Sequence, residues 1–210
     1  MIWLTEKIEF PPYENTSREG IIALGGDLTV KRLIFAYQNG IFPWFSEGDP
    51  IVWFCPKKRM VLFPDELKIS KSMKKIVQKN EFQITENNAF EEVIYQCKMI
   101  RRKDDLGTWI TDDMKEAYIN LYKKGVAKSI EVWQDNQLVG GLYGVEMNKI
   151  FCGESMFSTV SNASKLAFIY LATKKQYNLI DCQVYNKHLA SLGAREIDRT
   201  RFLDYLKKYQ

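Results

Sequence analysis

The sequence is poor in the residues that most metal sites and activated nucleophiles require. It has one histidine, His188, and four scattered cysteines, none of them in a CxxC pair. A zinc site needs several Cys, His or carboxylate ligands at short spacings, so we predict neither a metal nor a cofactor. A Ser–His–Asp or Cys–His centre would have to use His188, which sits in a polar helical segment without a nucleophile beside it. Triad chemistry is therefore disfavoured.

Long apolar segments are also missing. The apolar run 167–172 is far shorter than the ~20 residues that a bilayer span needs. The N-terminal stretch MIWLTEKIEF has neither a basic start nor a sustained apolar core, so it does not read as a secretory signal. We expect a cytoplasmic protein without membrane association, a monomer, whose cysteines are reduced and buried.

The composition is that of a folded protein with a locally basic surface. The 210 residues are 46% hydrophobic, 13% aromatic and 27% charged, with a net charge of +4. Residues 57–103 carry twelve Lys or Arg against six Asp or Glu. This basic block is either an ordinary solvated face or a patch that binds a polyanion such as a tRNA. It includes Lys57, Lys58, Arg59, Lys68, Lys71, Lys74, Lys75, Lys79, Arg101, Arg102 and Lys103.

The chain divides by pattern into a small N-terminal domain, residues 1–57, and a larger domain, residues 58–210. The first part holds five of the six prolines and one helix, which Thr29 can cap and Gly40 ends. The aromatic segment GIFPWFSEGDPIVWFCP follows this helix. We interpret it as loop or edge structure and not as a central strand, because it contains Pro43 and Pro50.

The second part alternates between helical and strand patterns. Ser70 and Thr111 are predicted helix N-caps. Strands at 127–133, 137–147 and 150–158 form a predicted antiparallel meander, followed by a helix, a strand at 179–185, a short helix and a last helix. The order predicts an α+β fold with a mixed, largely antiparallel sheet, similar to the acyl-CoA N-acyltransferase (GNAT) fold.

Three polar residues fall on strands that should be buried. Glu154 lies among apolar neighbours in FCGESMF, and a buried carboxylate needs a partner. Asp181 and Gln183 are two apart, so a strand places them on one face. They are either a satisfied structural pair or a cluster that orients a reacting amine or carbonyl. Trp44 and Trp109, in loop-like segments, either fill the core or line a pocket.

Several long segments together resemble the leucyl/phenylalanyl-tRNA–protein transferase family, from about residue 10 to residue 206. The segments are ALGGDLT, YQNGIFPWFSEGDPIVWFCP, ISKSMKK, GTWIT, AYINLYKKGVAKSIEVW, LVGGLYGV, IFCGESMFS, NASK and LIDCQVYNKHLASLGA. The resemblance implies a cytosolic aminoacyltransferase that moves Leu, Phe or Met from aminoacyl-tRNA to the N-terminal Arg or Lys of a protein. The product enters the N-degron degradation pathway.

The resemblance also implies roles for individual residues. Asp181 and Gln183 match the family's catalytic pair, and Glu154 matches its carboxylate for the acceptor residue. Positions around the aminoacyl-adenosine end correspond to Trp44, Trp109, Met156 and Ile180. Because the connection before Leu179 is shorter than the family pattern, pocket positions near Leu171 transfer poorly. For the basic block, we expect tRNA contacts from Lys71, Lys74 and Lys75.

Two other functions remain as alternatives. An acyl-CoA-dependent N-acetyltransferase would hold the CoA pyrophosphate on a glycine-rich turn opening a helix, but TVSNASK has no glycine there. A non-catalytic RNA-binding module would interleave basic and stacking aromatic residues, whereas the aromatics here cluster away from the lysines.

Overall fold

The computed structural model describes residues 1–100 and 110–209, and its N-terminal part forms a small sheet beside one helix. The sheet has the order β1-β2-β4-β3. Its strands are β1 (Trp3–Leu4), β2 (Ile21–Gly25), β3 (Phe42–Pro43) and β4 (Val52–Phe54). Pro43 lies on an edge strand as predicted, but β4 is an inner strand, so the prediction that this segment has no inner strand is wrong. Pro50 allows this because it precedes β4.

Helix α1 (Val30–Gln38) begins where the sequence predicts. The Thr29 side chain accepts a hydrogen bond from the Arg32 N–H, which satisfies one of the free donors of the first turn. At the other end Gly40 adopts φ +68°, a conformation that glycine tolerates without strain. Leu33 and Tyr37 are buried on the inner face of the helix.

The second sheet is mixed and seven-stranded, in the order β11-β5-β10-β9-β8-β7-β6. Its strands are β5 (Lys58–Leu62), β6 (Gln83–Glu86), β7 (Ala127–Gln134), β8 (Gln137–Met147), β9 (Ile150–Ser158), β10 (Leu179–Asp181) and β11 (Arg195–Asp198). Only the β9–β10 pair among these is parallel, and the other neighbours are antiparallel. The predicted α+β class and the predicted meander β7-β8-β9 are therefore confirmed.

Six further α-helices follow in the described part of the chain. They are α2 (Lys71–Lys79), α3 (Phe90–Met99), α4 (Asp112–Lys123), α5 (Ala163–Thr173), α6 (Lys187–Ser191) and α7 (Arg199–Tyr209). The Ser70 and Thr111 side chains cap α2 and α4 by accepting from the N–H of Met73 and Met114. No helix within the described ranges combines the length and apolar character of a membrane span.

Alternate residues of the large sheet belong to two different cores. On β5, Val61 packs with the small sheet and α1, whereas Met60 and Leu62 pack into the core that contains α5. Successive strand side chains point to opposite faces, so each core covers one face of the sheet. The N-terminal sheet thus shares a continuous core with the large sheet, and α1 reaches the strands that carry the polar residues.

Candidate active site

A cavity of about 490 Å³ is lined by β9, β10, α5, α6 and the segment that follows β3. This volume is typical of a small-molecule site. Much of its wall is apolar, from Leu142, Phe151, Met156, Phe168, Leu171 and Ile180. Its polar lining includes Glu154, Ser155, Asp181, Gln183, Asn186 and His188. The cavity therefore combines an apolar volume with a few polar groups.

The Asp181 carboxylate forms a buried ion pair with Arg59. Arg59 Nε donates to Oδ1 at 2.8 Å and Nη2 donates to Oδ2 at 2.6 Å. The two residues are 0% and 1% exposed. Burial disfavours the guanidinium charge, but Asp181 outweighs it and raises the pKa of Arg59. The pair is therefore a charged, bidentate contact on neighbouring strands β5 and β10.

Arg59 corrects one sequence interpretation. The sequence predicts it as part of a basic surface that could bind a polyanion, yet it is enclosed in the core. Its Nη1 donates to the Gly40 carbonyl oxygen at 3.0 Å, and its guanidinium lies against the Phe42 and Phe202 rings. One feature of the sequence could have revealed its burial. An arginine beside Met60, Val61 and Leu62 in a strand is as unusual as Glu154 in FCGESMF.

Strand β10 is shorter than predicted, and this changes the geometry of the Asp181–Gln183 pair. The predicted strand 179–185 ends at Asp181, and Gln183 has a left-handed backbone with φ +61°. The inference that both side chains share a strand face is therefore wrong. A different contact joins them, because the Gln183 N–H donates to Asp181 Oδ1 at 2.9 Å. A left-handed non-glycine residue is costly and is held here by that bond.

Glu154 lies at a β-bulge in β9. Gly144 on β8 pairs with Gly153 and Tyr143 pairs with Ser155, so Glu154 has no residue opposite it. A bulge turns a side chain out of the regular alternation. The Glu154 carboxylate accepts from Gln183 Nε2 at 2.8 Å and from the Tyr118 hydroxyl at 2.8 Å. Burial raises the pKa of Glu154 to about 8, although the hydroxyls of Tyr37 and Tyr118 oppose that rise.

The structure brings most of the sequence-predicted pocket residues together. Trp44, Met156 and Ile180 line the same cavity as Glu154 and Gln183. Trp44 is 41% exposed and its ring is tilted against Phe54. Trp109 lies outside the described residues, as do Arg101, Arg102 and Lys103 of the basic block.

The predicted nucleic-acid contacts occupy a different element. Lys71, Lys74 and Lys75 are exposed on α2, whose buried residue is Met73. They form a cationic surface on one short helix.

The sequence did not predict Arg59, Tyr37, Tyr118 or His188, which lie at or behind the site. Tyr118 and Tyr37 appear in the sequence as members of apolar helix faces, so no signal distinguished them from core residues. His188 lies in the predicted short helix and also lines the cavity. Burial, with Lys165 nearby, lowers the pKa of His188, which favours its neutral form.

The chemistry of this site is that of binding and orientation. A carboxyl beside an amide suits a cationic or amine group, and the apolar wall suits a hydrophobic side chain. Among the described residues, no group of three or more His, Cys, Asp or Glu side chains could hold a metal ion. Cys152 and Cys182 lie beside Asp181, and their pKa values are raised by burial and by that carboxylate, which makes them poor nucleophiles.

Comparison with known proteins gives consistent matches along the chain. Residues 61–207 match the family described as Leucyl/phenylalanyl-tRNA protein transferase, and residues 26–57 match its N-terminal domain. A leucyl/phenylalanyl-tRNA–protein transferase of Flavobacterium johnsoniae is 58% identical over 210 residues, 99% of each chain. A protein of the same name from Flavobacterium psychrophilum is 55% identical over 211 residues, covering 99% of this chain and 100% of the relative.

Solved structures are more distant. FemX aligns with a TM-score of 0.49 and 9% identity, over 80% of this chain and 66% of that chain. A GCN5-related N-acetyltransferase from Kribbella flavida aligns with a TM-score of 0.38 and 6% identity, over 77% and 58% of the two chains. Scores this low support no statement about fold or function.

Proposed function

The chain belongs to the leucyl/phenylalanyl-tRNA–protein transferase family, and from that membership we propose that its cavity holds the aminoacyl end of a Leu-, Phe- or Met-tRNA next to the N-terminal Arg or Lys of a protein. The enzyme is an aminoacyltransferase. The observation that carries the proposal is the contact between Gln183 Nε2 and Glu154 Oε1 in the wall of an apolar cavity. Polar groups for an acceptor and an apolar space for an acyl side chain are thus adjacent.

Glu154 is the proposed ligand of the acceptor residue. A guanidinium or ammonium group gains most from a carboxylate that is removed from bulk water, and Glu154 is 9% exposed. The donor side chain occupies the apolar part of the cavity, with Met156 and Ile180 in its wall and Trp44 at its exposed edge. Trp109 is the further proposed contact for the terminal adenosine.

Asp181 and Gln183 are the proposed catalytic pair, with unequal roles. Both Asp181 oxygens accept from Arg59, and Oδ1 also accepts from the Gln183 N–H. Asp181 therefore acts as an orienting charge. It fixes the turn that directs the Gln183 amide toward the acceptor and the ester.

The reaction needs no covalent enzyme intermediate. The neutral α-amine of the acceptor attacks the ester carbonyl carbon, a C–N bond forms and the ester C–O bond breaks. The terminal tRNA hydroxyl leaves with the proton that the amine gives up. An aminoacyl ester is already activated, so alignment and stabilisation of the tetrahedral oxyanion are the contributions required of the protein.

The remaining features are proposed on the same basis. Lys71, Lys74 and Lys75 contact the tRNA backbone, because exposed lysines suit phosphates without reading sequence. The chain consists of an N-terminal domain, residues 1–57, and a GNAT-like catalytic domain, residues 58–210. It works as a cytoplasmic monomer, and its products enter the N-degron pathway.

The direct test is transfer of labelled leucine from Leu-tRNA to a peptide that starts with Arg. Matched controls are the same peptide starting with Ala and the same peptide N-acetylated. We expect labelling of the Arg peptide only, and weaker use of it by Glu154→Gln, since a charge-assisted pair lost from a desolvated site costs on the order of 2–5 kcal/mol.

Two results would contradict the proposal. Binding of acetyl-CoA in calorimetry together with peptide acetylation would favour the N-acetyltransferase alternative. Tight tRNA binding without any transfer to peptide would favour a non-catalytic RNA-binding module.

A further inference from the structure

A chain of hydrogen bonds runs from Glu154 to helix α1 of the N-terminal part. The Tyr118 hydroxyl on α4 donates to Glu154 Oε2 at 2.8 Å. The Tyr37 hydroxyl on α1 contacts the Tyr118 hydroxyl. The two tyrosines are 1% and 0% exposed. The contact thus links a helix of the N-terminal part to a carboxyl in the cavity wall.

The direction of the chain follows from the number of protons. A hydroxyl carries one proton, so while Tyr118 donates to an anionic Glu154 its oxygen accepts from Tyr37. Gln183 Nε2 donates to the other carboxylate oxygen. The Glu154 anion is therefore held from both sides, by an amide that belongs to the proposed reaction centre and by two hydroxyls that do not line the cavity.

We infer that Tyr118, with Tyr37 behind it, is a positioning residue that keeps Glu154 anionic and aimed into the cavity. This inference rests on the proposed function, in which the Glu154 anion receives the acceptor residue. Neither tyrosine contacts the substrate in this scheme. They act through Glu154 alone.

Burial disfavours the negative charge of Glu154 that the proposed acceptor residue requires. It raises the pKa of Glu154 to about 8, and the two hydroxyls are among the groups that hold it down. The titratable and charged side chains around this carboxyl, from each described element packed on it, are Tyr37 on α1, Arg59 on β5, Tyr118 on α4, Tyr143 on β8, Cys152 on β9 and Asp181 on β10. Loss of the Tyr118 hydroxyl removes a donor to the anion and leaves the burial unchanged, so the anion becomes scarcer at neutral pH.

The test is the pH profile of kcat/KM for an Arg-starting peptide between pH 6.5 and 9.5, in single-turnover reactions corrected for ester hydrolysis. For Tyr118→Phe we expect the rising limb to move up by about one pH unit, which is about a tenfold loss at pH 7 that narrows to about twofold at pH 9. Tyr37→Phe moves the limb in the same direction, since the Tyr37 hydroxyl also opposes the rise in the Glu154 pKa. The α-amine of the peptide titrates near pH 8 as well, but it is the same in every reaction.

The matched control is Tyr122→Phe. Tyr122 lies on the same helix, and its hydroxyl donates to the Asn87 carbonyl oxygen rather than to Glu154. We expect no shift of the limb for this variant. A loss of activity in Tyr118→Phe that is equal at every pH would overturn the inference, because it would mean a general packing role.

A second readout separates this inference from the proposed function. The Glu154 carboxyl is observed by NMR in protein labelled with [δ-¹³C]glutamate, and its resonance is identified by its absence in Glu154→Gln. A titration midpoint that rises in Tyr118→Phe, with transfer indifferent to Glu154→Gln, supports the tyrosine chain and contradicts the acceptor role of Glu154. A midpoint that stays unchanged in both tyrosine variants overturns the inference.

Discussion

Arg59 donates to both carboxylate oxygens of Asp181, at 2.8 and 2.6 Å, on strands that pair side by side. The guanidinium also donates to the Gly40 carbonyl at the end of α1 and packs against Phe42 and Phe202. Arg59 thereby neutralises the Asp181 carboxylate from the core side. It also connects Asp181 to the N-terminal part and to α7. This geometry is why we assign Asp181 an orienting role.

The first prediction concerns stability. Asp181→Asn or Arg59→Met leaves a buried charge without its partner, so we expect each to lower the free energy of unfolding by about 3–5 kcal/mol in urea titrations. The double variant Arg59→Met/Asp181→Leu should recover much of that loss, because neither charge of the pair then remains in the core.

The exposed pair Lys58–Asp198 is the matched control, since it joins β5 to the next strand. Its side chains are 61% and 69% exposed. Substituting it the same way should change the free energy of unfolding by less than about 1 kcal/mol. Additive losses in the Arg59/Asp181 double variant would show that the two residues do not act as a pair.

The second prediction tests whether Asp181 orients the Gln183 turn or accepts a proton during the reaction. Asp181→Asn presents an amide group to Arg59 and loosens the Gln183 turn, so single-turnover transfer should fall by about 10²-fold, the scale of a misplaced group. The midpoint of its pH profile should stay where it is in the parent enzyme, with tRNA affinity nearly intact. Disappearance of the limb would identify Asp181 as the proton acceptor.

Local signals predicted much of the fold. Thr29, Ser70 and Thr111 each precede an apolar helical pattern, and each caps a helix by its side chain. The turn between β7 and β8 was equally predictable from the sequence, because Asp135 and Asn136 tolerate the left-handed backbone that they adopt. Such features depend on a few neighbouring residues, which the sequence displays directly.

The geometry of the site could not be predicted in the same way, because it depends on contacts between residues far apart in the sequence. Arg59 meets Asp181 across 122 positions of sequence, and Tyr118 meets Glu154 across 36. The apolar run around Gln183 predicts a continued strand, whereas the hydrogen bond to Asp181 Oδ1 holds a left-handed turn. The strand pattern also hid the bulge at Glu154, since a bulge is defined by its pairing partner.

The third prediction tests the Gln183 turn. Because φ is +61° at this residue, Gln183→Gly relieves backbone strain, while Gln183→Ala keeps it. We expect the Gly variant to be more stable than the Ala variant by about 1 kcal/mol. Both should slow transfer, since both lose the amide that contacts Glu154.

Asn136, exposed in the turn between β7 and β8 with φ +61°, gives the control pair Asn136→Gly and Asn136→Ala. The Gly variant should again be more stable than the Ala variant by about 1 kcal/mol. Leucine transfer should be unchanged in both variants. If Gln183→Gly transfers leucine as fast as the parent enzyme, the side-chain amide has no part in the reaction.

The fourth prediction concerns the lysines of α2. Replacing Lys71, Lys74 and Lys75 by Gln should weaken tRNA binding for every tRNA body sequence alike. The slope of log Kd against log salt should change by about two to three units. The control is the exposed set Lys123, Lys124 and Lys207, which removes the same charge from the C-terminal end of α4 and from α7. Equal slopes in the two triple variants would mean that α2 makes no specific tRNA contact.

The fifth prediction follows from the buried Glu154 carboxyl and concerns stability against pH. Its pKa is about 8 in the folded protein, because of burial, whereas an unfolded glutamate has a pKa of about 4.3. Between these values the folded state binds a proton that the unfolded state has released. The stabilisation that results is fully present below the unfolded pKa and is lost as the pH rises through the folded one.

The free energy of unfolding should therefore fall between pH 6 and pH 8, by about 2 kcal/mol from this residue. Glu154→Gln cannot titrate, so its urea-unfolding curves should show a drop that is smaller by that amount. Burial also lowers the pKa of His188, but the titration of this residue contributes equally in both proteins. Identical pH dependence in the parent and Glu154→Gln would mean that Glu154 stays ionised in the fold. In that case burial would not limit the anion that the acceptor residue requires.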